Sequence, residues 1–207
     1  MIKMTNVKVY NFENAIRGAR NPMNSWHMMD SSYDDLGNFV FGEVDLALAR
    51  KLCIAGSDHR KFMRQIFVSV DINAPMYWWK EFDTYKVGTA ANSTSTMHKI
   101  HSKPIEMDDF SHDKLGEGSK AVLQNFIDEI EKIRLKYIDG KDKGDWYEII
   151  QLLPSSYNQL RTVTMTYENL VAMYHARKNH KLQEWHGFAA WVSELPYAKE
   201  LIISIKE

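Results

Sequence analysis

The chain has 207 residues, 44% of them hydrophobic and 26% charged, which fits one ordinary globular domain and excludes disordered, collagen-like and low-complexity classes. Its formal charge is −1 and it holds one cysteine, Cys53, so no global basic field draws nucleic acid, no intramolecular disulfide is available, and a reducing cytoplasm is the expected setting. No run approaches the roughly 18 apolar residues of a membrane span, and the first residues carry no apolar signal core.

Alternation over residues 7 to 12 predicts a strand, followed by a short helix over 13 to 20 that Asn21-Pro22 stops. Residues 22 to 42, rich in Asp, Ser, Gly and Met, read as a long surface loop. Val44, Leu46, Leu48, Ala49, Leu52 and Cys53 give residues 43 to 54 the period of an amphipathic helix closed by Gly56. That places Cys53 on an apolar face, as a small core residue rather than a nucleophile. Residues 65 to 72 form the clearest strand, and Pro75 then opens a helix over 76 to 85. Tyr77, Trp78, Trp79, Phe82 and Tyr85 surround that helix with aromatic rings, so it is expected to be largely buried. Residues 88 to 95 are small and polar, as in a loop that lets a ligand approach the backbone.

The strongest helix runs from Ser119, its expected cap, to Ile138 and ends at Gly140. Its apolar stripe is Leu123, Phe126, Ile127, Ile130, Ile133 and Tyr137. Residues 145 to 153 predict a shorter helix stopped by Pro154, residues 160 to 167 a strand, and residues 168 to 177 and 182 to 195 two more helices. Strands and helices mix without βαβ alternation, so the expected class is α+β in one domain, 1–207. Aromatics reach 12%, an excess that serves a heavy core, an oligomer interface or a site for flat ligands.

Standard catalytic signatures are missing. Gly116-x-Gly118 lacks the third glycine and the preceding strand of a dinucleotide loop, and one cysteine excludes thiolate zinc sites. His98, His101, Asp108 and Asp109 are ligand types, but their spacing is loose and Pro104 interrupts any helix that would gather them, so surface polarity and no metal are expected. Trp78-Trp79 suits a base-stacking platform or a core, with the core favoured. His59-Arg60-Lys61, Arg64, Lys80 and Lys86 form a local cationic cluster beside a buried helix and a small polar loop. Singly they are surface charges; together they suit a phosphate-bearing ligand. Arg177 at a helix end reads, by itself, as a partner of the helix dipole.

Three segments form a larger pattern: Ala15-Ile16-Arg17-Gly18-Ala19-Arg20; His59 through Ile72 with Ala74-Pro75 and the aromatic helix; and Leu152-Leu153-Pro154, the strand from Leu160, the helix to Arg177 and Gln183-Glu184-Trp185. In this order and spacing they resemble the flavin-dependent thymidylate synthases (ThyX). The family signature, RHRxxSxNExSxR, is degraded here. With one inserted residue, Tyr85 replaces its histidine, Lys86 an arginine and Ser93 its glutamate, while Asn92 and Ser95 align. Thr84 and Met97 stand where the family has arginines, Glu81 where it has a glutamine, Ile150 at a phosphate-binding arginine and Glu168 at a flavin-side arginine; Arg177 is kept.

The resemblance implies a ThyX-like domain, with a twisted, mainly antiparallel sheet packed with helices, assembled as a homotetramer. It implies reductive methylation of dUMP to dTMP, with methylenetetrahydrofolate giving the carbon and FAD, reduced by NADPH, giving the hydride. By the same resemblance His59, Lys61, Arg64, Tyr85, Lys86 and Asn92 line the flavin. Glu81, Ser93, Thr94, Ser95 and Arg177 meet the nucleotide, with Arg177 as the catalytic residue that polarises the pyrimidine. No metal, nucleic acid or membrane enters this picture. A hydrogen bond to a charged group contributes about 1.5–3 kcal/mol, so two lost phosphate arginines cost on the order of 10² to 10⁴ in affinity unless Arg60, Lys61, Arg64, Lys80 or Lys86 replaces them. Without replacement, the alternatives are a relative that binds nucleotide or flavin with another substrate or no dTMP synthesis, or a structural protein on the same scaffold.

Overall fold

The first strand, β1 (Lys3–Tyr10), stops where Asn11 takes a left-handed conformation (φ 75°), a backbone state that asparagine tolerates better than most residues. The chain then turns directly into α1 (Phe12–Ala19). The strand thus begins and ends earlier than the alternation over 7 to 12 predicts, and Phe12 belongs to the helix. This architecture comes from a computed structural model that describes residues 2–205.

The expected surface loop over 22 to 42 is corrected by a short ribbon, β2 (Ser32–Tyr33) paired antiparallel with β3 (Phe39–Val40), and by a buried polar anchor. Arg20, at the end of α1, donates from Nε (2.8 Å) and Nη2 (2.5 Å) to Asp45 Oδ1. Asp45 Oδ2 accepts from the Ser31 hydroxyl (2.6 Å) and the Ser31 and Asp30 amides (3.0 and 3.2 Å). Asp30 in turn accepts from the Val44 and Asp45 amides (2.8 and 2.9 Å), satisfying orphan donors at the start of α2 (Glu43–Ile54). The segment is exposed over most of its length, as its polar composition predicts; Asp30 and Ser31 tie it to the buried Asp45 beyond its end.

Gly42 is required by the same packing, since a Cβ there would overlap the carbonyl and carboxyl groups of Asp30. Gly42→Ala is therefore expected to destabilise the fold by about 1–3 kcal/mol, as overpacking does. Urea unfolding should show a lower midpoint with an unchanged slope.

Burial acts to raise the Asp45 pKa, but the hydrogen bonds from Ser31, Arg20 and the Asp30 amide outweigh it and hold the carboxyl below its usual value. A depressed native pKa contributes stability that is fully present above the unfolded value near ~3.9 and is lost as pH falls through the native value. Stability measured from pH 6 downward should decline below about pH 4, and Asp45→Asn should lack that part of the acid slope.

After the turn Lys61–Gln65 comes β4 (Phe67–Pro75), in which Val68, Val70, Ile72 and Ala74 are buried in strict alternation. It runs past the expected end at 72 to Pro75, where an absent N–H is no loss at a strand terminus. The helix α3 (Met76–Phe82) buries Trp78, Trp79 and Phe82 as expected, but stops at Phe82 and leaves Tyr85 outside. The expected loop over 88 to 95 holds a strand, β5 (Ala90–Ser93), followed by a single turn of helix, α4 (Thr96–Lys99).

The long helix α5 (Glu117–Gly140) begins two residues before Ser119, with Gly116 at its N-cap and left-handed Lys141 (φ 54°) after its end. Ser119 therefore lies inside the first turn and is not the cap. Next come α6 (Lys143–Leu152), capped by Asp142, then β6 (Asn158–Thr166), α7 (Tyr167–Arg177) and α8 (Gln183–Ser193). A π-helical turn, Lys199–Ile203, follows that the sequence reading does not contain. The main sheet is antiparallel with strand order β1-β4-β6-β5, so the class is α+β as expected.

The chain divides into two compact units. Among the described residues, one holds 2–3, Ile72–Thr84 and Asn92–Thr162; the other holds Met4–Asp71, Tyr85–Ala91 and 163–205. In the first, Ile100, Ile105, Phe110, Ile127, Ile130, Ile133 and Ile149 form the core. There Trp79 donates from Nε1 to the Gln159 carbonyl (2.9 Å) and takes the Arg161 guanidinium over its ring at 4.2 Å. In the second, α7 packs against α8, the turn Lys61–Gln65 and the π-helical turn. A cluster of rings there, Phe12, Phe39, Phe41, Tyr167 and Tyr197, has neighbouring centroids 4.8–5.7 Å apart. Among the described residues no helix is long and apolar enough to cross a membrane.

Candidate functional site

Helix α7 organises the second unit's polar chemistry from both of its ends. At its start, Thr166 is the N-cap: its hydroxyl accepts from the Asn169 amide (3.2 Å), and Asn169 Oδ1 accepts from the Thr166 amide (3.0 Å). This reciprocal box satisfies two donors that the first turn leaves open. Glu168, in that turn, receives Arg60 Nε on both carboxylate oxygens (3.1 and 2.9 Å) in a mostly buried ion pair. Arg60, one of the five cations that the sequence offers as replacements for the lost arginines, thus has its Nε held by a carboxylate that offsets its charge.

At the other end, Arg177 occupies the last turn of α7 and donates from Nε to the Tyr85 hydroxyl (2.8 Å). Its guanidinium lies 5.6 Å from the Tyr85 ring centroid and 5.1 Å from that of Trp185, and the two rings meet edge-on at 6.1 Å. A cation held against two aromatic faces has its orientation fixed. The helix C-terminus adds favourable dipole interaction. Trp185 belongs to this arrangement although sequence reasoning gives it no role; its only signal is its place in the Gln183-Glu184-Trp185 motif.

The remaining flavin-side candidates of this unit lie on connecting segments. His59 is exposed in the turn after α2, Lys61 and Arg64 are exposed on the turn Lys61–Gln65, and Lys86 is exposed beside Tyr85. Among the described residues, Lys61, Arg64 and Lys86 form no ion pair.

The other candidates belong to the first unit. Glu81 is half-buried near the end of α3, Lys80 is exposed beside it, and Asn92 and Ser93 are exposed on β5. The Thr94 amide donates to the Leu160 carbonyl (2.9 Å), and Gln159 Nε2 donates to the Thr94 carbonyl (2.8 Å). Ser95 caps α4, its hydroxyl accepting from the His98 amide (3.0 Å). Thr94 and Ser95 line an open cleft of about 370 Å³ with Asn73, Lys99, Asp108 and Asn158. The structure therefore brings Arg177 together with Tyr85, and Thr94 together with Ser95.

No group of three or more His, Cys, Asp or Glu side chains converges as a metal cage among the described residues. His101 stacks edge-on against Tyr137 at 4.8 Å, and Asp109 pairs with Lys103. Cys53 is buried, and burial pushes its thiol up to about 12, so the neutral thiol dominates at physiological pH.

The chain has the fold of the flavin-dependent thymidylate synthases. The crystal structure of thymidylate synthase X from Helicobacter pylori with FAD and dUMP matches with a TM-score of 0.70 at 15% identity, over 98% of this chain and 97% of that one. A second Helicobacter pylori ThyX structure with the same ligands gives 0.68 at 16% identity, over 98% and 100%. The UMP/dUMP methylase PolB from Streptomyces cacaoi, bound with 5-Br dUMP, gives 0.63 at 14% identity, over 99% and 96%. No protein-family model matches the chain, and no curated protein matches its sequence.

Proposed function

We propose that this protein is an FAD-dependent, thymidylate-synthase-like enzyme that methylates C5 of dUMP, and that the whole chain, 1–207, acts as one such domain. The observation that carries the reading is Arg177, fixed between Tyr85 and Trp185 on a fold shared over nearly its full length with ThyX structures holding FAD and dUMP. In the reaction a carbon–carbon bond forms between C5 and the methylene carbon of methylenetetrahydrofolate. The C5 hydrogen leaves as a proton, tetrahydrofolate departs, and a hydride completes the methyl group. Bound FAD supplies that hydride after reduction by NADPH.

The donor set of the second unit fits such a cofactor. A flavin dinucleotide presents a pyrophosphate and flat rings. Lys61, Arg64 and Lys86 supply cations without carboxylate partners among the described residues, and His59 and Tyr85 complete this unit's flavin-side residues. Arg177 binds the pyrimidine, and its charge favours electron density on the ring oxygens. In the first unit, Glu81, Ser93, Thr94 and Ser95 are the nucleotide-side residues by the family resemblance, with their hydroxyls as phosphate donors. The active form is a cytoplasmic homotetramer.

Purification tests the reading: the protein should be yellow, or become so on FAD addition, and should rescue growth of a thymidine-requiring bacterial strain. A colourless protein that FAD cannot reconstitute contradicts it. A second reading, an altered substrate or binding without dTMP synthesis, is favoured by the Arg60–Glu168 ion pair, which places a carboxylate and a committed arginine where the family resemblance calls for a flavin-side arginine. Rescue failure in a strain that accumulates the yellow protein supports that alternative.

A further inference from the structure

The segment Tyr85–Ala91 carries two of the flavin-side residues yet has little burial of its own: Lys86, Val87, Gly88, Ala90 and Ala91 are all exposed. Ahead of Ala90, where β5 takes the chain into the sheet, such a segment is ordered by a few specific bonds, one of them the Thr89 hydroxyl donating to the Tyr85 carbonyl (2.6 Å). Tyr85 is fixed by Arg177. Beyond it, Asn169 donates from Nδ2 to the Val87 carbonyl at 2.7 Å, and Gly88 lies against the same side chain. A Cβ on Gly88 would come within 3.0 Å of Asn169 Oδ1, and Gly88 has φ +76°, a conformation other residues adopt only with strain.

Asn169 has two separable jobs because its amide has two ends. Oδ1 accepts from the Thr166 amide and hydroxyl (3.0 and 2.7 Å) and closes the start of α7. Nδ2 faces the segment. We infer that Asn169 is a positioning residue for the cofactor: its Nδ2 bond to Val87 sets the path of Tyr85–Ala91, so that Tyr85 and Lys86 are presented to the flavin in a single arrangement. This rests on the flavin-binding reading above. It explains why the third helical position holds Asn rather than the Glu or Gln of the common capping box. Glutamate or aspartate would close the cap but has no donor for the Val87 carbonyl.

Asn169→Asp separates the two jobs, keeping the acceptor for Thr166 and removing the donor for Val87. Urea unfolding of this variant should show a loss no larger than one hydrogen bond, at most about tenfold in the folding constant, with the slope unchanged. Hydrogen exchange of the apoprotein should accelerate at Tyr85–Ala91 by about threefold to tenfold, the net weight of one hydrogen bond. The dissociation constant for FAD, titrated by flavin fluorescence, should weaken by a similar factor. Gly88→Ala keeps every cap residue but presses a Cβ against the Asn169 amide, 3.0 Å from Oδ1 and 3.4 Å from Nδ2; it should reproduce the faster exchange and weaker FAD binding, and serves if the aspartate variant unfolds. Wild-type exchange in both variants overturns the inference. Faster exchange with an unchanged FAD constant also overturns it, because the segment is then latched without serving the cofactor. A wild-type protein that binds no FAD removes the flavin reading and this role with it, whereas equal binding by wild type and variants removes only this role.

Discussion

Arg177→Ala should abolish measurable dUMP binding to the FAD-reconstituted protein while leaving the fold intact. A guanidinium that makes two charge-assisted hydrogen bonds to the pyrimidine contributes about 3–6 kcal/mol, or on the order of 10² to 10⁴ in affinity. The structural cost is smaller: the bond to the Tyr85 hydroxyl and the contact with two rings contribute about 1–2 kcal/mol. Calorimetric titration with dUMP reads the first quantity and urea unfolding the second. Equal dUMP constants for wild type and variant contradict the assignment. Arg177→Lys should recover little, because a lysine has no planar fork and stacks less well on the two rings.

Asp45→Ala is expected to be the most destabilising single change, by about 3–5 kcal/mol, because it leaves the Arg20 guanidinium buried without its counter-charge. Arg20 and Asp45 are both almost fully buried, so water is not available to take over. The same change releases the Ser31 hydroxyl and the Ser31 and Asp30 amides, and with them the segment that caps α2. Replacing Arg20 by methionine and Asp45 by leucine together should restore much of the loss, since the uncompensated charge is then gone. Urea midpoints for the single and double variants check this. A midpoint for Asp45→Ala within error of the wild type would show that the anchor carries no weight.

The fold was most legible where burial imposes a period. The alternation of β4 and the stripe of α5 both rest on apolar residues repeating at the spacing of their element, and both elements form close to where the sequence puts them. Residues 22 to 42 are mostly exposed, as a surface loop should be; what their composition does not show is that Asp30 and Ser31 bond to Asp45 across a gap of 14 or 15 residues, and no local period records that. The boundary at Phe82 was missed because Tyr85 continues the aromatic run, although its ring belongs to the Arg177 cluster and not to the helix. In the candidate site, the retained Arg177 was legible through its family motif, while the commitment of Arg60 to Glu168 was not. That pair joins residues 108 apart in sequence, and composition alone reads each as a surface charge. Asn169 was also missed, though Thr166 three residues before it is a local capping signal.

The central claim is that this chain methylates a deoxyuridine nucleotide with flavin chemistry, and product mass tests it most directly. The FAD-reconstituted protein is incubated with dUMP, methylenetetrahydrofolate and NADPH, and the nucleotide is analysed by mass spectrometry. dUMP should be converted to dTMP, its mass raised by one methylene unit, only when all three co-reactants are present, and not by the Arg177→Ala variant. Unchanged dUMP from a protein that demonstrably holds FAD would contradict it.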